Sequence, residues 1–73
     1  MNLIMNAVMA EAKAKEAKAV ANLNNYVINA AGVGEHPDVV AECVKLVKEI
    51  AEARELAETV NRLLNESKQN SNQ

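Results

Sequence analysis

Residues 30–40 read AAGVGEHPDVV and hold both glycines (Gly32, Gly34), the single histidine (His36), the single proline (Pro37) and the single aspartate (Asp38), the place where the pattern of the chain breaks. A Gly-x-Gly turn that opens a helix presents free backbone N–H groups and can hold an anion. Glu35 and Asp38 already bring negative charge there, which opposes an anion site. A metal site would draw on Glu35, His36 and Asp38, but their spacing matches no standard ligand set, so no metal is assigned. Each residue also has a role in a bend. Gly32 falls where a helix C′ residue turns left-handed without a Cβ penalty, and Gly34 lets the chain reverse. Pro37 suits the first helical position, where its missing N–H costs nothing, with Glu35 or His36 before it as the N-cap. Asp38 in the first turn complements the helix dipole. Gly32, Gly34, His36, Pro37 and Asp38 are therefore read as turn and caps.

Outside this stretch the chemistry thins out. Tyr26 is the only aromatic residue: either core, with its hydroxyl reaching water, or a stacking surface for a base. Lys13, Tyr26 and Arg54 form the candidate ligand set for an anionic small molecule, held in a pocket between protomers. Cys43 is the only cysteine, so it forms no internal disulfide, and it reads as a small buried hydrophobe rather than an activated thiolate. No Ser/His/Asp or Cys/His set, phosphate loop or paired-carboxylate cleft can be assembled. The chain is read as a non-enzyme that uses no cofactor.

The elements that must position these residues are two helices. Residues 2–31 contain no glycine or proline, and Asn2 suits the N-cap. Met5, Val8, Met9, Ala12, Ala19, Val20, Leu23, Val27 and Ala30 recur at helical steps, opposite a polar stripe through Glu11, Lys15, Lys18, Asn22, Asn25 and Asn29. A second helix over about 37–66 carries a heptad-like seam of Val39, Cys43, Leu46, Ile50, Ala53, Ala57, Val60 and Leu64. Leu23 and Val27 face it from the first helix. Leu56 and Leu63 widen the apolar face on one flank; Val40 and Val47 widen it on the other. The fold class is all-α: an antiparallel two-helix hairpin over residues 1–66, turning at 32–36, that assembles into a four-helix or larger bundle. Residues 67–73 have no apolar side chain and are expected to be a disordered tail.

Two charged residues intrude on this pattern. Glu16 is in line with Met9, Ala12 and Leu23, and Arg54 lies beside the seam between Ile50 and Ala57. A hairpin folded about residues 33–34 brings them within about one turn of each other, so they are expected to pair and fix the register. An anion-binding Arg54 with Lys13 beside it, or two side chains that snorkel to water, are the alternatives. Asn61, one turn past Ala57, either selects the oligomer and register or sits on the surface near a fraying end.

At 73 residues the chain is one small domain, and a core that size rarely supplies more than about 3–5 kcal/mol. With one cysteine and one histidine, neither disulfides nor structural zinc can add to it. A homo-oligomer is expected, with an even number of copies. Thirteen alanines and no Phe or Trp make its core thin. A net charge of −2 offers no footprint for duplex DNA, so nucleic acid is not an expected partner. The N-terminal MNLIMNAVMA is too short for a membrane span and lacks the basic start of a signal peptide. With the free thiol, this places the chain in the cytoplasm and away from membranes.

The stretch GVGEHPDVV, followed by AECVKLVKEIAEARELAETVNRLL, resembles small uncharacterised proteins of tailed bacteriophages. These carry a Gly-[Ile/Val]-Gly-Glu-His-x-Asp turn and then an acidic amphipathic helix with an Ala-Glu-Ala-type centre. The matching residues are Gly32, Gly34, Glu35, His36, Asp38 and IAEA at 50–53, in the second half of the chain. The resemblance implies a phage origin and the cytoplasm of an infected bacterium.

The reading adopted is a small non-enzymatic phage-type helical protein that homo-oligomerises and acts as a protein-interaction or inhibitor module toward a host or phage protein. A second reading is an anti-defence sponge that sequesters a nucleotide signal between protomers. A third is a nucleic-acid-binding hairpin regulator, which the net charge and the lack of a basic helix face count against.

Overall fold

A computed structural model describes residues 2–29 and 38–71, which form two helices and no strand. Helix α1 spans Leu3–Asn29 and helix α2 spans Val39–Ser71. They pack along each other as a hairpin, with Glu16 against Arg54 and Ala19 against Leu46 and Ile50.

Both helices begin on a side-chain cap. Asn2 Oδ1 accepts a hydrogen bond from Met5 N at 3.0 Å, and the Asn2 carbonyl accepts from Asn6 N at 3.0 Å. This satisfies an N–H that the first turn would otherwise leave without a partner. Asp38 does the same for α2: its Oδ1 accepts from Ala41 N at 2.8 Å and its carbonyl from Glu42 N at 3.2 Å. Asp38 is therefore the cap itself. The sequence reading placed it one step inside the helix, behind Pro37, and α2 begins two residues later than that reading required. An aspartate can close the ring to the third N–H beyond it, and Val39 then begins the helix.

The far end of α2 also differs from expectation. The helix runs on to Ser71 instead of stopping near residue 66. No glycine or proline follows Asp38, and Glu66, Lys68 and Gln69 are all fair helix formers, so nothing in the tail stops propagation.

Between the helices runs one seam. In α1 it consists of Met5, Met9, Ala12, Glu16, Ala19, Leu23 and Tyr26, all buried or half-buried and spaced alternately four and three apart. In α2 it consists of Val39, Cys43, Leu46, Ile50, Ala53, Ala57, Val60 and Leu64, with the same alternation. This 3.5-residue repeat keeps a strip facing its partner along the whole contact. Six hydrophobic residues are buried among those described, and three of them are alanines: Ala12, Ala19 and Ala53. Alanine brings the backbones close but contributes little apolar volume.

The outcome is a rod with a core one layer thick. The Cα extents are 60 × 16 × 14 Å and the radius of gyration is 17.1 Å, against about 11 Å for a compact domain of this length. Its accessible surface is 5812 Å² for 7.9 kDa, whereas a compact monomer of that mass has about 4,400 Å².

Candidate functional site

The seam repeat defines two flanks. Residues one place before a seam position in the repeat form one of them; residues one place after form the other. A groove on the first flank is lined by Lys15 and Lys18 from α1 and by Glu49, Glu52, Leu56 and Thr59 from α2. It shows that the two helices present equivalent positions to the same side. Its walls carry charges of both signs, with cations from α1 and carboxylates from α2. The Thr59 hydroxyl donates to the Glu55 carbonyl at 2.8 Å. Glu55 also lines the groove, so three carboxylates face two lysines and the groove disfavours an anionic ligand.

On the second flank, Val20 follows Ala19, Val40 follows Val39, and Val47 follows Leu46. Val27 follows Tyr26 there and is 66% exposed. Val27, expected in an oligomer or hairpin seam, therefore stands outside the seam between the two helices. Tyr26 and Val27 are adjacent and both apolar, and the helix can point only one of them inward. The larger ring takes the seam position and packs on the cluster of Ala19, Leu46 and Ile50. The other expected seam residues, Val39, Cys43, Leu46, Ile50, Ala53, Ala57, Val60, Leu64 and Leu23, are buried or half-buried.

The seam contains one ion pair. Arg54 Nε donates to Glu16 Oε2 at 2.7 Å, with the arginine side chain 64% exposed and the glutamate 31%. Glu16 occupies a seam position, and Arg54, one place after Ala53, reaches across to it from the valine flank.

The three candidate ligand residues do not converge within the chain. Lys13 is exposed, Arg54 is engaged by Glu16, and Tyr26 is packed in the core. Glu16 and Tyr26 are ten positions apart on α1, about 15 Å along the axis at 1.5 Å per residue. Neither Lys13, Tyr26 nor Arg54 lines the charged groove or the open-end groove formed by Leu3, Ile4, Met5, Leu63 and Leu64. Asn61 is exposed. Gly32, Gly34, His36 and Pro37 lie outside the described residues. Among the described residues no group of three His, Cys, Asp or Glu could hold a metal, and no helix is long and apolar enough to cross a membrane.

The periodicity of the sequence missed two things. Leu3 and Ile4, which nothing in the seam pattern marks, line a groove at the open end with Leu63 and are 78% and 76% exposed. Val44 lies between Val40 and Val47 on the same flank, 48% exposed. Its signal was the i, i+4 and i+3 spacing of Val40, Val44 and Val47, a second stripe beside the first.

Compared with known proteins, the chain matches no family model, no curated protein and no solved structure.

Proposed function

We propose that this chain is a non-enzymatic helical module that associates with copies of itself and presents the assembled surface to another protein, binding or blocking it. The observation that carries this reading is the balance of apolar surface. Six hydrophobic residues are buried among those described, while ten large ones stay at least 36% exposed. Five of the ten are valines on one flank, a cluster and not scattered residues, and exposed apolar clusters mark sites of association. A rod with one layer of core gains burial most directly by adding a second rod. The phage-like turn supports a setting in an infected bacterium, with a host or viral protein as the further partner.

The test is a native mass spectrum of the full chain purified from bacterial cells. The expected spectrum is an even-numbered oligomer with no added mass, and affinity capture with that oligomer as bait then identifies the partner. A monomer overturns the self-association. A small anionic molecule retained at each site overturns the protein-binding role in favour of sequestration.

A further inference from the structure

We propose that a second copy of this chain packs on the valine flank of the first, valine against valine about a two-fold axis that crosses both helices at the level of Val44 and sets each Val44 against its own copy. This rests on the self-association put forward above and assigns it a surface.

The flank comprises Val20 and Val27 from α1 and Val40, Val44 and Val47 from α2, which are 41%, 66%, 73%, 48% and 51% exposed. Four of them fall at two matched levels. Val27 and Val40 are the flank positions nearest the turn on their helices, and Val20 and Val47 stand seven residues further from it. The charged groove confirms that equivalent flank positions of the two helices share a side. The five valines therefore form one patch that spans both helices.

The charge pattern separates this patch from the rest of the surface. Along this half of the hairpin the valine flank is otherwise Ala17, Asn24 and Ala51, with no charged residue. The opposite flank over the same span carries Lys18, Glu42, Lys45, Glu49 and Glu52. Toward the open end the patch stops at Lys13 and Arg54, and Arg54 is drawn to Glu16. Valine is a weaker helix former than lysine or glutamate, so a solvated flank gains nothing from it. In a packed interface its single preferred rotamer leaves little side-chain freedom to lose.

A second copy supplies the layer that one chain lacks. The chain exposes 5812 Å², about 1,400 Å² more than a compact monomer of its mass, because its core is one layer thick, and a second hairpin laid on the patch covers the valines together with their rim. A two-fold pairing covers the patch on both copies with the same contact, so the assembly closes without a second surface. The open-end group of Leu3, Ile4 and Leu63 is the competing patch, but Asn2, Asn6 and Ser67 share its walls.

Sedimentation equilibrium on the full chain tests the assignment, using the natural sequence, Val44→Glu, Val44→Lys and, at the open end, Leu63→Glu. The natural chain and Leu63→Glu should sediment at twice the 7.9 kDa chain mass. Each Val44 variant alone should dimerise about 100-fold more weakly, because like charges are forced together. An equimolar mixture of Val44→Glu and Val44→Lys should recover both the dimer and its helical circular dichroism, which excludes simple misfolding as the cause. If the natural chain dimerises but the Val44 variants do so equally well, the mixture recovers nothing, or Leu63→Glu alone dissociates it, the surface assignment falls while self-association stands. If the natural chain is a monomer at its highest soluble concentration, self-association itself falls.

Discussion

Glu16 is the one charged side chain in a seam otherwise built of apolar residues, and its position decides what Arg54 does. The guanidinium lies one place off the α2 seam, so it reaches the carboxylate across the interface instead of extending into water. With the arginine 64% exposed, the pair is well solvated. Pairs of this kind contribute about 0.2–1 kcal/mol and weaken with salt. Its value lies in register, because a slip of one turn separates the two charges and leaves Glu16 against apolar neighbours. Glu16→Arg and Arg54→Glu should each lower the melting temperature, and the double exchange should recover part of the loss. A double exchange no more stable than either single change would show that the contact carries no coupling. This pair was legible in the sequence because a hairpin folded about residues 33–34 fixes which positions meet. The choice between Tyr26 and Val27 was not legible, since both are apolar neighbours and only the packed helix shows which one faces inward.

At the scale of the elements, the strict four-three alternation of α2 made every one of its seam residues readable. The α1 pattern was harder to resolve, because alanine at so many positions gives apolar spacing on several faces at once: Ala7, Ala10, Ala14, Ala17 and Ala21 are all exposed. The start of α2 was displaced because Asp38 and Pro37 both suit helix openings, and the aspartate is the residue that makes the capping bond. Asp38→Ala should therefore cost about 1 kcal/mol, seen as a fall in melting temperature of roughly 4–8 °C for a domain of this size. Asp38→Asn should keep most of the stability, since an amide oxygen can also accept from Ala41 N. An unchanged melting temperature for Asp38→Ala would remove the cap from the account of why α2 begins where it does.

For the whole molecule, the antiparallel layout dictates an order of assembly. Contacts near the bend join residues close in sequence, while the Glu16–Arg54 pair already spans 38 positions. Once the helices meet beside the bend, each further layer closes only a short additional loop, so pairing advances stepwise along the rod. Amide exchange should be slowest around Ala19, Leu46 and Ile50, where the buried cluster lies, and fastest at Leu3–Asn6 and beyond Leu64. Uniform protection along both helices would instead indicate one all-or-none unit. Exchange in that order would make the molecule a zipper fastened at one end. Leu3 and Ile4 would then close last and part first, and the apolar side chains of the open end would be the first that a protease or chaperone meets.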